Sequence, residues 1–224
     1  MTRFHQVTER MEVAAASARR PISELRLLAV SKKQPIERIR SLAEEGQTSF
    51  GENYVDEAVA KMDELADLAL EWHFIGPIQS NKTRTLVERF DWVQSVDRIK
   101  IVRRLNDQHP GNRPALNVLL QVNLDGEAQK AGCAPEAIAS LAEAVAAAEH
   151  LILRGLMAIP APRDDPQAQA DVFGRLRGYF DELAAAYPSV DTLSAGMSAD
   201  LEAAIAAGST MIRVGTDLFG PRPE

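Results

Sequence analysis

The chain has 224 residues, 46% hydrophobic and 25% charged, a composition typical of one sizeable α/β domain rather than two. Its formal net charge of -7 disfavours general nucleic-acid binding, and no apolar run approaches the roughly 20 residues that a membrane span needs. Residues 1–20 lack a signal-peptide pattern and are predicted to form an amphipathic helix, so we expect a cytoplasmic protein. Cys133 is the only cysteine, which excludes an internal disulfide and favours a small buried or loop thiol.

After this helix, apolar runs alternate with helical patterns along the whole chain. Eight such units in one domain-sized chain predict a single (β/α)8 barrel over residues 1–224, rather than an open doubly wound sheet. The predicted strands are residues 27–31, 48–51, 71–76, 92–96, 116–122, 151–159, 192–194 and 211–214, of which the seventh has the weakest pattern. The predicted helices span 36–45, 54–65, 80–89, 98–106, a segment from 135, 167–187 and 199–207, and residues 215–217 start a final short turn.

Lys32 stands where the first apolar run ends, next to a second ammonium group, Lys33. An uninterrupted apolar run indicates an inner strand, and ligands of α/β proteins bind at the carboxyl ends of such strands. Repulsion from Lys33 and partial burial would both favour the neutral amine of Lys32, the form that acts as a nucleophile. The alternative is a solvated pair of charges that closes the strand.

Two glycine-containing loops, residues 194–198 and 214–217, follow the last two predicted strands. Each leads towards a helix or helical turn, where backbone N–H groups and the helix dipole favour an anion. In (β/α)8 barrels these two loops frequently hold a phosphate. Ser198 could instead be the N-cap of the next helix, with Asp200 in its first turn, and this alternative is compatible with phosphate binding.

Arg213 lies on the short eighth strand, two residues before Gly215, where an unpaired guanidinium would be costly to bury. We therefore expect an acceptor beside it. Closure of the barrel would make the first and last strands neighbours, so Lys32, Arg213 and the phosphate loops would meet at one mouth. Together these groups suit pyridoxal 5'-phosphate (PLP). Lys32 would supply an amine for the aldehyde, the two loops a nest for the phosphate, and Arg213 a guanidinium for the ring nitrogen.

The chain contains seven short motifs, which are Leu28-Ala29-Val30-Ser31-Lys32, Phe50-Gly51-Glu52-Asn53-Tyr54, Trp72-His73-Phe74-Ile75-Gly76, Gln79-Ser80-Asn81-Lys82, Gly155-Leu156-Met157-Ala158, Gly196-Met197-Ser198 and Ile212-Arg213-Val214-Gly215. These motifs closely resemble those of the PLP homeostasis proteins known as YggS or PROSC. The resemblance covers residues 27–220, and its motifs occur in the family's order. It implies a barrel like the N-terminal domain of alanine racemase, a PLP enzyme of fold type III.

The resemblance also implies roles for individual residues. Lys32 would form the internal aldimine with PLP, and Arg213 would face the pyridine nitrogen. Lys130 matches a loop lysine near the family's cofactor site, although the sequence alone indicates an exposed loop cation. Family members often have a lysine where Gln34 stands, so a PLP-transfer role assigned to that lysine has no counterpart in this chain. The implied cofactor-binding set is Lys32, Asn53, Met197, Ser198, Arg213, Gly215 and Thr216, of which Ser198, Gly215 and Thr216 would hold the phosphate.

Asn53 and His73 end the second and third predicted strands and are predicted to line the same mouth. Their alternatives are a capping residue and an ordinary imidazole of the barrel core. The resemblance implies a PLP carrier or buffer in vitamin B6 homeostasis, without robust catalysis, that is a monomer and could pass PLP to apoenzymes. The alternatives are an amino-acid racemase, which needs a second acid/base such as Tyr54, and a Schiff-base aldolase acting on a sugar phosphate.

Overall fold

The computed structural model describes residues 1–126 and 131–221, which form a closed barrel of eight parallel strands. The first strand pairs with both the second and the last, so the predicted closure and the (β/α)8 fold are confirmed. The strands are β1 (Arg26–Val30), β2 (Ser49–Glu52), β3 (Glu71–Phe74), β4 (Trp92–Val96), β5 (Leu116–Gln121), β6 (Leu151–Met157), β7 (Thr192–Ser194) and β8 (Met211–Val214). The helices are α1 (Arg3–Ser17), α2 (Ile36–Glu44), α3 (Val55–Glu64), α4 (Thr83–Arg89), α5 (Ile99–Gln108), α6 (Ile138–Ala146), α7 (Pro166–Ala186), α8 (Leu201–Ala206) and α9 (Thr216–Phe219).

The seventh strand, which has the weakest sequence pattern, forms at its predicted residues, Thr192–Ser194. Other boundaries shift by a few positions. β6 ends at Met157 instead of residue 159, and the predicted helix 80–89 is divided into a 3-10 turn, Ser80–Lys82, and α4. The number and order of the strand-helix units are those predicted.

The predicted amino-terminal helix, α1, packs on the outside of the barrel against α8 and α9. The Thr2 side chain accepts a hydrogen bond from the His5 N–H at 3.2 Å and caps the helix. Val7 and Met11 are buried on its inner face. Among the described residues, no helix combines the length and the apolar character that crossing a membrane requires.

Side chains along each strand alternate between the barrel interior and the surrounding helices. Leu28 packs with Ile75 and Met211 inside the barrel, whereas its neighbour Ala29 belongs to the apolar layer between strands and helices. Gly51 leaves room for this interior packing, because a Cβ there would lie 3.1 Å from Leu28 Cδ2. The interior is thus filled, and it also holds buried polar side chains, namely His73, Gln94, Ser194 and Arg213.

Candidate functional site

A cavity of about 300 Å³ opens at the carboxyl ends of the strands. This volume lies at the small end of the range for sites of small molecules, roughly 300–1,000 Å³. All seven residues predicted from the sequence line it, so the structure brings the predicted set together. The lining residues are Val30, Lys32, Gln34, Asn53, Ile75, Ile159, Met197, Ser198, Ala199, Arg213, Gly215 and Thr216.

Lys32 lies two residues beyond the end of β1, in the turn that leads to α2. The Gln34 N–H donates to the Ser31 carbonyl at 3.0 Å and closes this turn. Lys33 adopts a left-handed conformation, with φ of 58°, and its side chain is exposed while Lys32 is partly buried. The turn therefore separates two lysines that are adjacent in sequence, and only Lys32 lines the cavity.

A largely buried group of charges, which we call the lysine cluster (Lys61, Glu52 and Glu57), supports the backbone around Lys32. The Lys61 Nζ donates to Glu52 Oε1 at 2.7 Å, to Glu57 Oε1 at 2.6 Å and to the carbonyl oxygen of Ser31 at 2.7 Å. Glu57 Oε1 also accepts from the Lys33 N–H at 2.5 Å. The residues on both sides of Lys32 are thus bonded to one cluster.

The lysine cluster carries an ion pair in a dry environment. Lys61 is 4% exposed and Glu52 is fully buried. Burial raises the pKa of Glu52, and the charge of Lys61 opposes this rise. Sequence analysis missed Lys61, since a lysine in a helical pattern indicates a solvated position, and the only available signal was a glutamate in the otherwise buried strand β2.

Arg213 is 4% exposed and has the acceptors that its burial requires. Its Nη1 donates to Ser194 Oγ at 2.8 Å and its Nη2 donates to the carbonyl oxygen of Ala158 at 2.8 Å. These acceptors are a hydroxyl and a carbonyl rather than a carboxylate. Burial lowers the pKa of Arg213 to about 10, against the opposing charge of Asp200, so the guanidinium stays protonated at neutral pH.

The loop after β7 corrects the alternative prediction for Ser198. α8 begins at Leu201, and Asp200, not Ser198, occupies the position before it. The Asp200 carboxylate instead accepts from the Met197 N–H at 2.6 Å, a bond within the loop. Among the described residues, no acceptor is bonded to the backbone N–H groups of Ser198 and Thr216. α8 and α9 are short, so such N–H groups, more than a helix dipole, make these loops suitable for an anion.

Gly215 has a backbone conformation that does not itself require glycine. Its φ is -116°, which any residue can adopt. A Cβ at this position would lie 3.4 Å from the Val30 carbonyl oxygen, an ordinary contact. The fold alone therefore leaves room for a small side chain at this position.

Arg10 connects the two loops, although it belongs to α1 and gave no signal in the sequence. Its Nη2 donates to the carbonyl oxygen of Ser198 at 3.0 Å, and its Nη1 pairs with Asp217 Oδ2 at 3.0 Å. It also pairs with Glu202 at the start of α8. The amino-terminal helix thus holds both loops at a fixed distance from each other.

Asn53 lines the cavity just beyond the end of β2. Its backbone lies against Gly76, where an added Cβ would be 2.2 Å from the Asn53 carbonyl oxygen. Among the described residues, no hydrogen-bond partner reaches the buried Asn53 Oδ1. Asn53 Oδ1 is therefore a buried acceptor, beside this cavity, that the described residues do not use.

The remaining predicted residues lie elsewhere. The prediction that His73 lines the mouth is wrong: it is fully buried in the barrel and bonded to Glu71 and Gln94. Tyr54 is 52% exposed and lines a neighbouring depression instead of the cavity. Lys130 lies outside the described residues. Cys133 is a buried thiol, and burial raises its pKa to about 11. A thiol with such a pKa is a poor nucleophile at neutral pH.

Comparison with known proteins identifies the family. The alanine racemase N-terminal domain family matches residues 5–223. The pyridoxal phosphate homeostasis protein of Pseudomonas aeruginosa is 54% identical over 217 residues, covering 97% of this chain and 93% of its own, and that of Escherichia coli K12 is 50% identical, covering 97% and 94%. The structure of PipY from Synechococcus elongatus with PLP bound superposes with a TM-score of 0.82 at 37% identity, covering 96% of this chain and all of that one. The chain therefore belongs to the pyridoxal phosphate homeostasis proteins of the alanine racemase N-terminal domain family.

Proposed function

We propose that this protein binds PLP reversibly in the cavity and so buffers or carries the cofactor in vitamin B6 homeostasis. The observation that carries the proposal is that Lys32 and Arg213 line one cavity together with the loops after β7 and β8. The names of the relatives agree with this function. We further propose that the protein is monomeric and cytoplasmic and delivers PLP to apoenzymes.

The residues present fit the chemical groups of PLP. Lys32 supplies an amine for the aldehyde, and it would form a Schiff base with release of water. The backbone N–H groups of Ser198 and Thr216 supply donors for the phosphate, and Gly215 permits its close approach. Arg213 presents a buried guanidinium at the place proposed for the ring nitrogen. Asn53 Oδ1 supplies an acceptor for a hydroxyl group of the ring.

The environment of Lys32 favours binding over catalysis. A two-base racemase needs a second proton donor on the face of the ring opposite the lysine. Tyr54, the candidate from the sequence, lies in a separate depression with Asp56 and Lys82. With PLP-loaded protein and L-alanine in deuterated water, we therefore expect little exchange at the α-carbon. Rapid exchange that is lost in Tyr54→Phe would contradict the proposal and favour a racemase.

Borohydride reduction tests the covalent part of the proposal. Reduced, PLP-loaded protein should carry the label on Lys32 after proteolysis, and Lys32→Ala should lose the visible absorbance. Lys33→Ala is the matched control, since Lys33 is adjacent but exposed, and it should retain the label. A label found mainly on Lys33, Lys82 or Lys130 would overturn the assignment. Pyridoxal, which lacks the phosphate, should bind more weakly than PLP if the two loops hold that group.

A further inference from the structure

A continuous line of hydrogen bonds crosses the barrel interior from the cavity to the opposite end. We call it the interior relay (Arg213, Ser194, Gln94, His73 and Glu71). Arg213 Nη1 lies 2.8 Å from Ser194 Oγ, which lies 2.7 Å from Gln94 Oε1. Gln94 Nε2 lies 2.9 Å from His73 Nδ1, and His73 Nε2 lies 2.7 Å from Glu71 Oε1. Every link is of hydrogen-bond length, so the cavity is connected to the first residue of β3.

The chemistry of the two ends fixes the direction of every bond. A guanidinium only donates, so Ser194 must accept from Arg213 and direct its own proton to Gln94 Oε1. A carboxylate only accepts, so His73 must donate to Glu71 through Nε2–H. Because neutral imidazole carries one N–H, His73 Nδ1 then accepts from the Gln94 amide. Both ends require the same orientation of Gln94, and all donors point towards Glu71.

Glu71 and His73 have the ionisation states that this direction needs. Burial lowers the pKa of His73, although Glu71 opposes the shift, so the imidazole is neutral at pH 7. Burial opposes ionisation of Glu71, but the hydrogen bond from His73, the charge that His73 gains in acid and the charge of Arg26 outweigh it and lower the Glu71 pKa to about 2. Trp92 Nε1 at 3.0 Å and Ser49 Oγ at 3.0 Å also donate to this carboxylate. Glu71 is therefore a fixed anion.

We propose that Glu71 is a positioning residue for the cofactor site and acts on Arg213 through His73, Gln94 and Ser194. The fixed anion determines the His73 tautomer, and the tautomer determines the orientation of the Gln94 amide. The amide in turn determines the direction of the Ser194 O–H. The hydroxyl then always presents a lone pair to Arg213. Arg213 is thereby held in one orientation without an adjacent carboxylate that would compete with a ligand for its other N–H groups.

The tautomer of His73 in ligand-free protein is the direct test of the relay. Long-range 15N–1H correlation spectra should show a neutral ring protonated at Nε2 between pH 6 and pH 8. A ring protonated at Nδ1, or an imidazolium at pH 7, would overturn the proposal. This measurement needs neither PLP nor a substitution, so it is independent of the proposed function.

The effect on the cavity rests on the proposed function and is tested by PLP affinity. Gln94→Leu, which breaks the relay at its centre, should weaken PLP binding about tenfold, the equivalent of one hydrogen bond. Gln121→Leu is the matched control, since Gln121 is a buried glutamine on the neighbouring strand β5 that is bonded outside the relay, and it should change affinity less than twofold. Equal losses in the two variants would contradict the proposal.

A double-mutant cycle separates positioning from a general effect on structure. Glu71→Gln should weaken PLP binding several-fold in the natural protein and should have no further effect in the Arg213→Met background. Ser49→Ala, which removes another donor to Glu71, should leave affinity unchanged. An undiminished effect of Glu71→Gln in Arg213→Met would sink the inference. If the natural protein itself bound no PLP, the proposed function would fail, and the His73 tautomer would still decide whether the relay exists.

Discussion

Two buried networks support the cavity, one below Lys32 and one below Arg213, and they differ in charge and in reach. The lysine cluster is compact and ionic, with the Lys61 Nζ bonded to two carboxylates and to the backbone. The interior relay is long, and its three central members are uncharged side chains that connect Arg213 to a single anion, Glu71. The cluster holds the main chain on both sides of Lys32, whereas the relay holds one side chain.

The difference follows from what each network must fix. The position proposed for the cofactor's aldehyde needs a rigid loop, and the lysine cluster restrains the backbone on both sides of Lys32. Arg213 must keep its charge in a dry interior, so its side chain is restrained through neutral groups that do not neutralise it. Substitution of one partner of the buried ion pair should therefore reduce stability strongly. Substitution of one member of the neutral relay should reduce it less.

The largest expected effect is on the lysine cluster. Lys61→Met would leave the Glu52 carboxylate buried without its partner, which should destabilise the protein by about 3–5 kcal/mol. Loss of the ammonium would also raise the Glu52 pKa further. The stability lost relative to the natural protein should therefore grow as pH rises, because the folded variant must release a proton that it binds more tightly than the unfolded chain does. Urea unfolding at pH 5 and pH 8 measures both quantities.

Lys82→Met is the matched control for Lys61→Met. Lys82 also pairs with a carboxylate, that of Asp56, but Asp56 is largely exposed. An exposed pair contributes about 0–1 kcal/mol, so this variant should unfold almost as the natural protein does. A similar loss in both variants would show that the lysine cluster has no special role.

The second prediction concerns the opposite pKa shifts of Glu71 and Glu52. Glu71→Gln should cost about 1–3 kcal/mol at pH 7, for loss of a partly buried charged acceptor. The stability that Glu71 contributes is complete above its ordinary pKa of 4.5 and is lost as pH falls towards about 2, so this deficit should shrink on acidification. The folded pKa of Glu52 is raised, so its contribution is lost as pH rises, and the deficit of Glu52→Gln should shrink on going to higher pH.

Unfolding curves between pH 3 and pH 8 distinguish the two carboxylates. Glu12→Gln, at an exposed position in the middle of α1, is the control and should change the free energy of unfolding by less than about 0.5 kcal/mol. Parallel profiles for Glu71→Gln and Glu52→Gln would contradict the difference between the two networks.

The sequence predicted Lys32 and Arg213, the cavity residues beside the two networks, better than it predicted the networks themselves. Lys32 and Arg213 stand next to apolar runs whose burial is visible locally, and their convergence follows from the count of strands. Gln94 was detectable only as a polar residue within a buried strand, and its partners depend on the register across the closed barrel. Lys61 and Arg10 looked like ordinary helix-surface cations, because their contacts are with residues distant in sequence.

The third prediction extends the comparison to Arg10, an exposed counterpart of the buried supports. Arg10→Met should cost less than about 1 kcal/mol of stability, since its ion pairs are partly solvated. It should nevertheless weaken PLP binding a few-fold, because the loops after β7 and β8 lose their common anchor. Arg40→Met, which breaks the exposed pair with Asp67, is the control and should leave PLP affinity unchanged. Calorimetric titration with PLP gives the comparison, and equal affinities for the two variants would contradict the role of Arg10.

The smallest expected effect on stability is at Gly215, where neither network contributes. Its φ of -116° suits any residue, and a Cβ would make only an ordinary contact with Val30, so Gly215→Ala should change the free energy of unfolding by less than about 0.5 kcal/mol. Binding should respond differently, because the methyl group would keep a phosphate from the loop that we propose as its site. We therefore expect weaker binding of PLP and unchanged binding of pyridoxal, measured by titration of both ligands. Gly174→Ala, in the middle of α7 with open space around it, is a control that should alter neither affinity. If Gly215→Ala lowered the affinities for PLP and pyridoxal by the same factor, the phosphate would have to lie elsewhere in the cavity.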